Sequence, residues 1–351
     1  MTFVPPDIGP PWARPLAGRL DVHAIDSPAL RGNALGDPHV RPLAVYVPPG
    51  AEDAGALPVI YVIQGFTGQL DRWAARSTLR PTYLELVDDL FADPAVPRAL
   101  VAHVDAWTSI GGSQFVDSPA TGRYATYLCE DVVSFVDAHY ATRADRDHRG
   151  IAGKSSGGYG AMVNAMLRPD VFGALATHAG DACFETCYLH DEAASVRALR
   201  ESYDGSWENF LADLRSRPAM SKGTDGDILN SYAMAACYSA DPDGTVHHPI
   251  DPATGVLDDE VWARWQAWDP VRMAPRHAEA LRSMRAIWID AGTRDEWFLD
   301  LGAQAFRDAC ETAGATVTHF ELFDAGHGGI EYRYPLALRH LAERLAAATF
   351  R

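Results

Sequence analysis

The segment Gly153-Lys154-Ser155-Ser156-Gly157-Gly158 follows the apolar run Gly150-Ile151-Ala152 and leads into Tyr159–Met166, whose composition suits a helix. A strand that passes through one sharp turn into a helix commits the chain to layers, because the strand must join a sheet and the helix must cover it. The Gly-x-Ser-x-Gly spacing also says what the turn is for. A serine held there has strained dihedrals and a hydroxyl clear of the backbone, and a side chain two residues to either side would strike the neighbouring strand or helix. Ser155 is the candidate nucleophile. So short a pattern arises by chance about 0.1 times in a chain of this composition, so its meaning depends on its partners.

Apolar strands alternate with amphipathic helices along most of the chain, the signature of a mainly parallel sheet covered on both faces. Leu20–Ile25 and Val40–Val47 come first, separated by turn residues, and are expected to pair antiparallel. The remaining strands are expected at Val59–Ile63, Ala99–Val104, Arg149–Ala152, Ala174–His178, Ala286–Ile289 and Val317–Leu322. Helices are expected at Thr82–Phe91, Leu128–His139, Gly302–Ala313 and Pro335–Ala348, the last with Leu336, Leu338, Leu341 and Leu345 as its apolar residues. Residues 1–18 are proline-rich and read as an arm ahead of a domain spanning 19–351. Between the sixth strand and Met284 the chain is far longer than one crossover requires. That stretch, about 182–284, with helices at Asp191–Ser202, Trp207–Leu214 and Asp258–Trp268, reads as a helical cap over the carboxyl ends of the strands. Trp262, Trp265 and Trp268 at helical spacing read as core.

A serine hydroxyl is a poor nucleophile at neutral pH and needs an imidazole to take its proton, with a carboxylate to orient that imidazole. His327 lies in Asp324-Ala325-Gly326-His327-Gly328-Gly329 after the last strand, with glycines on both sides that allow close approach. Asp295, in the loop Asp290–Trp297 after the preceding strand, is the chosen carboxylate; Glu296, Asp290 and Asp300 compete with it. The order Ser, Asp, His, each in a loop after a strand, is that of an α/β-hydrolase. The oxyanion of a tetrahedral intermediate needs two backbone donors: Ser156 supplies one, and Gln64-Gly65-Phe66-Thr67-Gly68 the other, with Phe66 preferred and Thr67 next. Gly65, Thr67, Trp107, Ser113 and Gln114 are candidate substrate-binding residues.

With these residues in view the chain resembles the "Putative esterase" family of α/β-hydrolases, which includes esterase D, enterochelin esterases and secreted mycolyltransferases. The motifs that carry the resemblance are Gln64–Gly68, Gly111–Phe115, Ala152–Ala161, Gly292–Glu296 and Gly326-His327, within residues 40 to 345. It implies Ser155 as nucleophile, Asp295 as acid and His327 as base in a cofactor-independent serine esterase. S-formylglutathione hydrolases carry a cysteine shortly after the oxyanion-hole glycine, where this chain has Gly68-Gln69-Leu70. A thioesterase of that kind and an acyltransferase with an alcohol acceptor are the alternatives.

Composition narrows the setting. The net charge of -17, with Lys154 and Lys222 the only lysines, disfavours nucleic acid and anionic membranes as partners. Five cysteines, an odd and sparse set in a long chain, point to a reducing cytoplasm. Cys183 and Cys187 lack a second pair at zinc spacing, so no metal is expected. The start of the chain shows neither a basic nor an apolar leader segment, and secretion is not expected. The expected partner is a small-molecule ester; a homodimer is compatible with the sequence.

Overall fold

A computed structural model of the protein describes residues 14–75 and 79–347. The strands β1 (Arg19–Asp26), β2 (Val40–Val47), β3 (Val59–Ile63), β4 (Leu100–Val104), β5 (Arg149–Ser155), β6 (Ala174–Gly180), β7 (Ala286–Gly292) and β8 (His319–Phe323) form one sheet. Their spatial order is β1-β2-β4-β3-β5-β6-β7-β8. β1 and β2 pair antiparallel, Arg19 opposite Val47 and Asp26 opposite Val40, as expected. β2 is also antiparallel to β4, and the remaining pairs are parallel. β5, β6 and β7 run on to Ser155, Gly180 and Gly292, past the expected ends at Ala152, His178 and Ile289. Those last residues are glycine or polar and carry no apolar signal, yet backbone ladder bonds need none.

Both faces of the sheet are covered. Alternate residues of β3 point to opposite sides: Val59, Tyr61 and Ile63 enter one buried cluster, Ile60 and Val62 the other. The second face is closed by α1 (Tyr83–Ala92), whose Thr82 and Glu85 form a capping box, and by the C-terminal helix Tyr334–Ala346. The first is covered by α2 (Val133–His139), α3 (Ser156–Leu167) and elements beyond it. α2 continues from Tyr124 through a π-helical turn, Tyr127–Val132, so this helical run starts earlier than the expected Leu128.

Between β6 and β7 lie α4 (Leu189–Tyr203), α5 (Trp207–Ser216), α6 (Asp225–Tyr238) and α7 (Asp259–Gln266). Tyr188 just before α4, Leu199, Phe210 and Trp265 belong to the same buried cluster as Tyr61 and Tyr159, so the insertion shares the hydrophobic core of the sheet. Trp262 and Trp265 are buried there and Trp268 packs against them. α6 was not expected: most of its residues are buried, and such a helix shows little of the amphipathic period by which surface helices are recognised. Asp269 closes the excursion, its carboxylate receiving the amides of Cys183 and Phe184 at 3.0 Å each. A further long helix, α8 (Leu299–Thr312), follows β7, and the C-terminal one is α9.

Of the expected arm, residues 1–13 lie outside the described residues. The rest is tied to α1: Asp88 accepts from the Arg14 guanidinium at 2.6 Å and from the amides of Ala17 and Gly18 at 2.9 Å. Among the described residues, no helix is long and apolar enough to cross a membrane.

Glu192 of α4 is buried, and burial, opposed only in part by the nearby Ser231, pushes its carboxyl up to about 8. The folded state then holds a proton that the unfolded chain releases near 4.5, so native stability falls as pH rises from that value toward 8. Glu192→Gln removes the penalty. Thermal unfolding is expected to show equal Tm values at pH 4.5 and an advantage for the variant on the order of 5 °C at pH 8; an equal Tm at both pH values would contradict this.

Candidate active site

β5 ends and α3 begins at Ser155, which has φ 59° and ψ -130°. Glycines make that passage possible by close contact rather than by flexibility. A Cβ on Gly157 would lie 2.4 Å from the Ile63 carbonyl oxygen, and one on Gly153 would lie 2.3 Å from the Gly157 carbonyl. No side chain fits such gaps. β5, β3 and α3 therefore meet backbone to backbone, and the serine is carried to the carboxyl edge of the sheet, where its side chain borders an open cleft.

The loops after β7 and β8 are laced together. The amide of Thr293 donates to the Phe323 carbonyl at 2.8 Å and that of Arg294 to the Ala325 carbonyl at 2.9 Å. A Cβ on Gly292 would lie 2.4 Å from the Ala325 oxygen, so glycine is required where the loops touch. This brings Asp295 Oδ2 to 2.8 Å from His327 Nδ1, while Asp295 Oδ1 accepts from the Trp297 amide at 3.0 Å. The ring of Trp297 meets that of His327 edge-on at 4.7 Å.

The competing carboxylates are engaged elsewhere. Glu296 accepts the His327 backbone amide at 2.8 Å, a bond that holds its carboxyl below the usual range. Asp290 lies in the sheet interior, between His178 Nδ1 at 2.6 Å, Trp288 Nε1 at 3.0 Å and Arg333 Nε at 2.9 Å. Burial opposes its ionisation, but His178 and Arg333 hold it below the usual carboxylate range. Asp300 sits in the first turn of α8.

The two amides considered for the oxyanion differ in availability. Thr67 spends its amide on the Gly111 carbonyl at 3.1 Å, whereas the Phe66 amide has no partner among the described residues. The Ser156 amide belongs to the first turn of α3, where helical N–H groups have no intrahelical acceptor. Gly65 lies close over the serine: a Cβ there would be 3.2 Å from Ser155 Cβ.

Gly65, Phe66, Thr67, Ser155, Ser156 and His327 line one cleft of about 930 Å³. Trp107, Ser113 and Gln114 do not border it; they line a small recess that shares Gln64, Gly65, Phe66, Gly68 and Ser156 with it. Trp107 takes the Arg41 guanidinium on its carbonyl and over its ring. Gln114 Nε2 faces Tyr238 Oη at 2.9 Å and Asp181 Oδ2 at 3.2 Å.

Sequence reasoning gave no role to Asp181, directly after β6. Its buried carboxyl receives Tyr188 Oη at 2.8 Å and Ser156 Oγ at 3.2 Å, and burial raises its pKa above the usual value. Its place just past a strand's carboxyl end was the available signal. Tyr188, Asp191, Met220, Asp227 and Asn230 of the insertion also line the cleft. Among the described residues no three His, Cys, Asp or Glu side chains are grouped to hold a metal ion.

Residues 37–340 match the sequence model of the "Putative esterase" family. The S-formylglutathione hydrolase of Mus musculus is 25% identical over 216 residues, 55% of this chain and 75% of the mouse protein. A solved ferulic acid esterase superposes with a TM-score of 0.58 at 18% identity, covering 95% of this chain and 100% of the other. The S-formylglutathione hydrolase of Agrobacterium tumefaciens gives a TM-score of 0.57 at 18% identity, with coverage of 95% and 98%. These structural likenesses identify the fold as that of the α/β-hydrolases.

Gly157→Ala forces a methyl into the contact between α3 and β3. Its unfolding free energy is expected to drop by about 2–4 kcal/mol, measured by denaturant unfolding against Gly223→Ala. The control site has open space around its Cβ position. Equal losses in the two variants would contradict the close-contact account.

Proposed function

The chain belongs to the "Putative esterase" family and is a hydrolase of carboxylic esters, and we propose that Ser155, His327 and Asp295 carry the reaction. The observation that most supports this is the 2.8 Å contact between His327 Nδ1 and Asp295 Oδ2 beside a cleft that Ser155 shares. In this reading Ser155 Oγ attacks the ester carbonyl while His327 Nε2 takes its proton. Asp295 keeps the proton on Nδ1 and stabilises the imidazolium. The amides of Phe66 and Ser156 receive the oxyanion. His327 then protonates the departing alkoxide, and water, activated by the same imidazole, releases the acid and restores the serine.

The insertion, residues 182–284, is proposed to act as the cap that sizes the acyl or alcohol pocket, since its side chains form one wall of the cleft. The similarity to the mouse S-formylglutathione hydrolase favours a second reading, a thioesterase acting through the same serine. A cytoplasmic place goes with the five free cysteines; recovery of the protein outside the cytoplasm in cell fractionation would count against it.

Hydrolysis of p-nitrophenyl esters from acetate to octanoate tests the roles. Ser155→Ala and His327→Ala are each expected to lower turnover by about 10⁴-fold or more, and Ser155→Ala to abolish labelling by a fluorophosphonate. Asp295→Asn should cost about 10³–10⁴-fold, Glu296→Gln less than about tenfold; the reverse ranking would reassign the carboxylate. Met220→Trp should reduce octanoate turnover relative to acetate, and an unchanged ratio would argue against the cap. Faster turnover of S-formylglutathione than of every oxygen ester would favour the second reading.

A further inference from the structure

Lys154 stands immediately before Ser155 and is one of only two lysines in the chain. The other, Lys222, is paired, with Asp213 at 2.9 Å and Tyr203 Oη at 3.0 Å. Lys154 is half-buried on the wall of the cleft, and its ammonium makes no hydrogen bond or ion pair among the described residues. The charged groups that face it are Glu331, Asp295, Glu296 and Arg72. Asp295 and Glu296 hold His327 through its ring and its amide, whereas Glu331, 3.5 Å from Arg80, keeps a buried oxygen without a hydrogen bond. Burial disfavours the ammonium, drawing its pKa below the usual lysine value. The ammonium is bonded to none of these carboxylates, so a half-desolvated donor remains available to an anion that enters the cleft.

Arg72 and Arg80 line the cleft as well, as do Asp181, Asp191, Asp227 and Glu331, and of the three cations Lys154 is the one that directly precedes Ser155.

We propose that Lys154 is a specificity residue that seats a carboxylate carried by the ester substrate, next to the bond that is cleaved. The inference rests on the reading of Ser155 as nucleophile. It names a class, esters bearing a carboxylate on the acyl or the alcohol side, and leaves the catalytic steps unchanged.

Two pairs of esters of similar size separate the sides: the mono-p-nitrophenyl ester of glutaric acid against p-nitrophenyl valerate, and 4-carboxyphenyl acetate against phenyl acetate. For each pair the ratio of kcat/KM, anionic over neutral, is compared between the wild type and Lys154→Met, with Lys154→Gln as a second variant should the first not fold. The ratio is expected to fall at least tenfold in the pair that reports the correct side, mainly through KM, and Lys154→Arg should restore most of it. A change below about threefold in both pairs would overturn the proposal. Should the wild type cleave none of these esters, the esterase reading fails and binding decides the anion site alone. In calorimetric titration with glutarate, at least tenfold weaker binding to Lys154→Met than to the wild type would uphold the site, and equal or absent binding to both would remove it.

Discussion

The site depends on a contact in which no side chain takes part. Gly153, Gly157 and Ile63 bring the backbones of β5, α3 and β3 so close that a single methyl at either glycine would collide. Because the helix starts that near the strand, Ser155 must turn through a left-handed φ, and its hydroxyl has the cleft before it. The first amides of α3 then lie under the same cleft, beside the Gln64–Gly68 loop at the end of β3. The proposed oxyanion donors and Ser155 are therefore placed by one packing event.

Much of this was legible in sequence because glycine and short apolar runs report backbone geometry directly. The eight strands, the antiparallel start and the Ser155 turn all left local marks. The Asp and His loops did so as well, since both must follow a strand and carry glycine where they touch. What stayed hidden was set by tertiary packing. Trp107, Ser113 and Gln114 have the polar and aromatic character of a pocket wall, yet they bond Arg41, Phe115, Asp181 and Tyr238 and do not border the cleft that Ser155 lines. α6 hid its helical period because it is buried on most sides. Asp181 is a plain aspartate in sequence and gains its character only from burial.

Neighbouring carboxylates illustrate how a short distance along a chain separates tasks. Asp290, still within β7, points to the sheet interior and braces His178 and Arg333. Asp295, beyond the strand, reaches the imidazole of His327. Both make a histidine–carboxylate contact of similar length, but His178 is fully enclosed whereas His327 borders the cleft. Access to a ligand, rather than the pair itself, separates the two.

The order of the strands along the chain has a consequence for synthesis. Ser155 lies near the middle of the sequence, whereas β7, β8 and α9, which carry or support Asp295 and His327, come last. α9 packs over the centre of the sheet, with Leu341 and Leu345 against Gly150 of β5 and Arg333 locking onto Asp290. A nascent chain folding from its N-terminus exposes the serine turn long before an imidazole can reach it. On the proposed assignment Ser155 meets its imidazole only once the C-terminal strands and α9 are in place, so completing the core and assembling the site coincide.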